Sequence, residues 1–182
     1  MRPIQITFFA HATTFDNEAG IATGQADTNL SPLGEIQVRN LRQAAVEKKF
    51  DAVFCSDLIR ANRTAEGAFG DRLTVQIDSR LREIDIGSLT RRADSEVGPL
   101  MKEHLSKPFP NGESLDEVAE RVKEFLTEIR QRYEGGHVAI IGHQVVQLAL
   151  EVLLNKLTWE EALERDWRKT KAFQFGWDYV LI

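Results

Sequence analysis

The sequence predicts an α/β fold, a mostly parallel sheet with helices on both faces in three α/β/α layers. Apolar runs of strand length recur at Ile4 to Phe9, Ala52 to Cys55 and residues 137 to 142. Helix-like segments alternate with them, the order that βα units impose on a parallel sheet. No repeat, low-complexity tract or linker interrupts the 182 residues, so residues 1–182 are expected to form one domain. A chain of that size buries roughly 70% of its unfolded surface.

Residues 4 to 9 make the first strand. Ser31-Pro32 is an N-cap followed by proline at the first helical position, which opens a helix to about Lys48. Residues 52 to 55 form a second strand, and Ser56-Asp57 is expected to cap a helix to about Ala68. Leu73 to Ile77 is a short third strand, whereas Arg82 to Pro110 has weak periodicity and reads as a loop-rich or helical insertion above the sheet. Ser114-Leu115-Asp116-Glu117 is a capping box, and Leu115, Val118, Ala119, Val122, Phe125, Leu126 and Ile129 form the apolar face of the helix it opens. Glu134-Gly135-Gly136 ends that helix before the strand at 137 to 142. Helices from Gln144 to Leu154 and from Thr158 to about Glu164 follow, and alternation over Ala172 to Ile182 predicts a final strand or hairpin.

Composition narrows the function classes. A net charge of −5, with Lys and Arg scattered, argues against nucleic acid as the main partner. The single cysteine, Cys55, excludes an internal disulfide framework and reads as a buried core thiol. No apolar run approaches the ~18 residues of a membrane span. Ala10-His11-Ala12 imitates a signal cleavage site, but the run before it is short and interrupted by Gln5 and Thr7, so a cytoplasmic protein is expected.

Two of the four histidines, His11 and His143, stand at the ends of predicted buried strands. In a parallel sheet those positions face the crevice where ligands bind. His104 and His137 have no motif around them and are expected at the surface, while Phe8, Phe15, Phe54 and Trp167 are expected in the core or in pocket walls. His11 is followed by Thr14 and Asn17, then Gly24-Gln25, Asp27 and Leu30-Ser31-Pro32-Leu33-Gly34. Ser56-Asp57-Leu58-Ile59-Arg60-Ala61 comes next, then Thr64-Ala65, Leu81-Arg82-Glu83 with Gly87, Phe109-Pro110-Asn111-Gly112-Glu113-Ser114, and the His143 strand. In this order, over residues 4 to about 155, the chain resembles the histidine phosphatase superfamily, the phosphoglycerate mutase-like proteins.

The resemblance implies a phosphoglycerate mutase-like sandwich and a role for each matching residue. His11 is similar to the nucleophile that becomes a phosphohistidine, His143 to the second pocket histidine, and Glu83 to the proton donor. Arg60 matches the phosphate-binding arginine, and Asn17 a polar residue lining the phosphate pocket. Chemistry agrees: a neutral imidazole can attack phosphorus when its other nitrogen is held by an acceptor. An arginine offers a planar fork to phosphate oxygens. The scheme requires no metal or other cofactor; a metal site of His11, His143 and a carboxylate such as Asp16 is disfavoured by the absence of compact ligand spacing. Asp85 is a nearby substitute for Glu83, and Asp27 and Ser31 are expected to shape the turn and cap the next helix.

The chain also departs from the family pattern. Arg-His-Gly becomes Ala10-His11-Ala12, and the second histidine is followed by Gln144 rather than glycine. Alanine cannot replace a charged, bidentate donor. Arg63, Arg91, Arg92 and the amide of Gln144 are the candidates to fill that gap. The expected function is a metal-independent phosphohydrolase for a small phosphate monoester, with a possible homodimer as its assembly. The alternative is a catalytically weak or inactive relative that binds an anionic ligand or a protein partner; a mutase is disfavoured by the short chain and small insertion.

Overall fold

The computed structural model describes residues 2–170 and 176–182. Its strands are β1 (Ile4–Ala10), β2 (Ile21–Ala22), β3 (Ala52–Cys55), β4 (Val75–Ile77), β5 (Arg92–Ala93), β6 (His137–Gly142) and β7 (Trp177–Leu181). Its helices are α1 (Phe15–Glu18), α2 (Pro32–Ala44), α3 (Ile59–Phe69), α4 (Asp94–Leu100), α5 (Leu115–Arg132), α6 (Gln144–Leu154), α7 (Trp159–Glu164) and α8 (Trp167–Thr170). Five strands pair in the order β4-β3-β6-β1-β7, parallel except for β7, which runs antiparallel to β1. β2 and β5 form a separate two-stranded ladder.

Successive side chains of a strand point to opposite faces, and the core divides accordingly. Ile4, Ile6, Phe8, Ala52, Phe54, Val138 and Ile140 pack with Val118, Val122, Phe125 and Ile129 of α5 and with Val145 and Leu148 of α6. Phe9, Val53, Cys55, Ala139 and Ile141 pack on the other side against Leu41 of α2 and Ala61, Ala65 and Phe69 of α3. These are the three expected layers. Both faces are covered, so the central strands read as continuous apolar runs rather than alternating ones.

Helix ends show where local signals win and where tertiary partners override them. The capping box of α5 forms in both directions: Glu117 N–H donates to Ser114 Oγ at 3.3 Å, and Ser114 N–H to Glu117 Oε2 at 2.7 Å. Ser31 caps α2, but that helix ends at Ala44, short of Lys48, because bonds such as Lys48 N–H to the Ala45 carbonyl tighten the chain into turns. Neither Ser56 nor Asp57 caps α3. Its N-cap is Leu58, and the Ile59 N–H finds Asp27 Oδ1 at 3.0 Å instead. Ser56 is drawn away by His143 and Asp57 by the guanidinium of Arg82.

The insertion after Arg82 holds a 3-10 turn (Gly87–Leu89), β5 and α4. Residues 172 to 175 of the predicted C-terminal strand or hairpin lie outside the described residues; Trp177–Leu181 is a strand. Three side-chain expectations are corrected. His104 is buried, stacked on Phe109 with ring centroids 3.9 Å apart. His137 is half-buried beside Phe50, its Nε2–H donating to Thr7 Oγ1, whose own hydroxyl donates to Asp178. Phe15 is 55% exposed, because it opens α1 on the outside of the loop while its neighbour Thr14 turns inward.

Candidate active site

The register of the two central strands places the histidines. Ala10 pairs with Gly142, so His11 and His143 leave neighbouring strands at the same level, and His11 N–H donates to the Gly142 carbonyl at 2.9 Å. Their ring centroids are 5.1 Å apart. His11 Nδ1 lies 2.8 Å from the Ala12 carbonyl, which can only accept. The proton of a neutral His11 is therefore on Nδ1, and Nε2 carries the free lone pair. Burial, and then the nearby charge of Arg60, push the His11 pKa down to about 3, with Arg168 adding to the depression.

His143 is fully buried, and its Nε2 lies 2.6 Å from the hydroxyl of Ser56, itself fully buried. Ser56 Oγ already accepts the Leu58 N–H at 3.3 Å. Among the described residues the Ser56 proton has no other acceptor, so Nε2 takes it and the proton of the neutral His143 ring is on Nδ1. That nitrogen has no hydrogen-bond partner among the described residues. Desolvation and the charge of Arg60 hold the His143 pKa well below the ordinary value. An unpartnered buried N–H is costly, so the molecule keeps a donor unspent beside His11.

Arg60 enters from the second position of α3 and is 2% exposed. Its two Nη atoms donate to the carbonyls of Gly24 at 2.7 Å and Ala26 at 3.0 Å. Gly24 has φ +54°, and a Cβ there would meet Ile86 Cγ1 at 2.8 Å, so glycine alone suits this carbonyl's position. Thr64, one turn along α3, donates to the Arg60 carbonyl and accepts the Ala12 N–H, tying the helix to the His11 loop. Glu83 is held through its backbone, since Gln25 and Arg121 donate to its carbonyl at 3.0 and 3.2 Å. Its Oε1 accepts the Ile84 N–H at 2.9 Å.

His11, Asn17, Arg60, Glu83 and Gln144 line one cavity of about 520 Å³. Five of the six predicted site residues are thus brought together at its wall, and His143 lies immediately behind His11 rather than on the surface of the cavity. Asn17 spends its Oδ1 on the Thr14 N–H and hydroxyl, and Gln144 donates its Nε2 to Asp166. Asp85 stays outside, accepting the Gly87 N–H. So do the three candidate arginines: Arg63 is exposed, Arg91 reaches Asp16 and the Asp27 carbonyl, and Arg92 pairs with Glu96. The sequence reading missed Asp166, Arg168 and Lys169 from the end of the chain, and the apolar wall of Ile21, Ile84, Ile86, Val97, Met101 and Leu163. No motif marked them; the wall is assembled from segments too short to show a period. Among the described residues, no group of three His, Cys, Asp or Glu side chains could hold a metal ion.

The family model of the histidine phosphatase superfamily (branch 1) matches residues 6–178. The chain belongs to that superfamily. It is 31% identical over 156 residues to phosphoserine phosphatase 1 of Hydrogenobacter thermophilus, covering 81% of this chain and 74% of the relative. The mycobacterial glucosyl-3-phosphoglycerate phosphatase superposes with a TM-score of 0.79 at 26% identity, covering 90% of this chain and 84% of the other. A phosphoglycerate mutase from Bacillus anthracis shares the fold, with a TM-score of 0.75 at 18% identity over 85% and 81% of the two chains. Histidine phosphatase relatives of this chain thus include phosphatases and mutases, and its phosphoglycerate mutase-like fold is the one the motif order implied.

Proposed function

We propose that this histidine phosphatase member is a metal-independent phosphohydrolase that removes phosphate from a small monoester through a phosphohistidine at His11. The observation that carries it is the tautomer of His11: its Nδ1–H is tied to the Ala12 carbonyl, so the Nε2 lone pair is available beside the cavity. His11 Nε2 forms a bond to phosphorus as the ester P–O bond breaks, and the Glu83 carboxyl gives its proton to the leaving alkoxide. Water then attacks phosphorus, the Glu83 carboxylate takes the water's proton, and the N–P bond breaks to free phosphate and neutral His11. Arg60 and Asn17 hold the phosphoryl oxygens, Gln144 shapes the adjoining wall, and His143, buried behind His11 with ring centroids 5.1 Å apart, backs the attacking imidazole.

Ala10 favours a second reading, a weak or inactive relative that binds an anion in the same cavity. One assay separates the two. Purified protein with a panel of phosphate esters is expected to release orthophosphate, and rapid quenching in alkali to trap an acid-labile phosphohistidine visible by 31P NMR. Release no greater than that of His11→Ala would overturn the phosphohydrolase in favour of the binding reading.

A further inference from the structure

Without Arg168 the charged side chains on the cavity wall would carry a net negative charge that opposes a phosphate dianion. Glu83, Asp94 and Asp166 bring three carboxylates, opposed by Arg60, Arg168 and Lys169. Two of those cations have protein partners: Arg60 donates to the carbonyls of Gly24 and Ala26, and Lys169 Nζ to the Leu163 carbonyl at 2.9 Å. Arg168 differs. Among the described residues its guanidinium makes no hydrogen bond, and its one ion pair is a long contact of 3.7 Å from Nε to Asp166 Oδ1. Asp166 is 2% exposed and accepts the Arg168 backbone N–H at 3.1 Å while also receiving Gln144. The same carboxylate therefore fixes the turn that carries Arg168 and the amide that follows His143.

We propose that Arg168 is the second phosphate-binding arginine of this site, supplied from α8 because the residue ahead of His11 is Ala10. The proposal rests on the cavity being a phosphate site, but not on turnover. A guanidinium that carries a charge and has donors to spare is the group a phosphoryl dianion requires, and a fork of N–H donors can bind two of its oxygens at once. Its approach differs from that of a residue on β1. Arg168 comes from α8 and Arg60 from α3, so the two guanidiniums would reach the anion from different elements.

The experiment uses the intact protein and two readouts, kcat/KM with a responsive phosphate ester and affinity for orthovanadate or orthophosphate by calorimetry. Arg168→Ala is expected to lower kcat/KM by ~10²–10³-fold and to weaken oxyanion binding, with melting temperature unchanged. Guanidinium ion added to the variant is expected to recover part of both, and Arg168→Lys to keep more than Arg168→Ala. Arg165→Ala, an exposed neighbour outside the cavity, serves as the control. Values for Arg168→Ala within about two-fold of the parent protein would overturn the proposal, as would a loss that neither guanidinium nor lysine relieves. A parent protein that binds vanadate but turns over nothing fails the phosphohydrolase reading alone, and the binding comparison still decides the role of Arg168.

Discussion

At the scale of single residues the site is governed by where protons sit. A free histidine titrates near neutrality, but burial and the charge of Arg60 hold His11 at about 3. The nitrogen proposed to attack phosphorus is therefore unprotonated throughout the ordinary range. The log of kcat/KM is expected to show no acid inflection from this residue between pH 6 and 7; a break near 6.5 matched by NMR shifts of the His11 ring titrating at the same pH would contradict the tautomer argument. Ser56 carries a second expectation. Ser56→Ala leaves the buried Nε2 of His143 without its partner, a loss of ~1–3 kcal/mol in urea unfolding, and kcat is expected to fall as the ring loses its fixed proton. Conservation of kcat would mean that the orientation of the His143 ring does no work in the reaction. His11, His143 and Arg60 were legible in the sequence because each stands in a motif at a strand or helix end, whereas Ser56 read as a helix cap and not as the partner of His143. Arg168 was not, since it lies on a four-residue helix with no pattern around it and reaches the cavity only by tertiary folding.

At the scale of elements, the site depends on how closely α2 docks under the His11 loop. Ser31 N–H donates to the Thr13 carbonyl at 3.0 Å, and Gln37 Oε1 accepts the Thr13 N–H at 2.8 Å. Gly34 makes this contact feasible, because a Cβ there would sit 2.1 Å from the Thr13 oxygen. Gly34→Ala is expected to cost ~1–3 kcal/mol as an overpacked contact and to lower kcat/KM by displacing His11. Differential scanning calorimetry with the phosphatase assay checks both, and a stable, fully active variant would show that the loop is not set by this contact. The long elements were readable for a physical reason: α5 buries seven apolar side chains at helical spacing, and β1, β3 and β6 are buried on both faces. The β2–β5 ladder was not, since two residues per strand show no period. The start of α3 was misplaced because Ser56 and Asp57 are good local caps that His143 and Arg82 take for themselves.

For the whole molecule, the buried imidazoles link the site to stability. His11, His137 and His143 all have pKa values lowered by burial, so each stays neutral in the folded chain at pH values where an unfolded histidine takes a proton. Above pH 6.5 both states are neutral, and none of the three changes stability with pH. Below 6.5 the unfolded chain binds protons that the folded chain refuses, so each such histidine removes up to about 1.4 kcal/mol per pH unit until its folded value is reached. Carboxylates act in a lower window. The Arg82 guanidinium holds Asp57 below its usual range, so that contribution is present above about pH 4 and is lost as pH falls through the depressed value. Stability measured in urea is therefore expected to decline from pH 6.5 to 4.5 through the histidines alone. His11→Asn removes one of them and is expected to make that decline shallower by as much as about 1.4 kcal/mol per pH unit. Orthovanadate bound at the site would raise stability across the same range by mass action. An identical slope for His11→Asn and the parent protein would mean that the folded chain accepts the proton at His11 as readily as water-exposed histidine does, and the proposed nucleophile would then be half-protonated near neutrality.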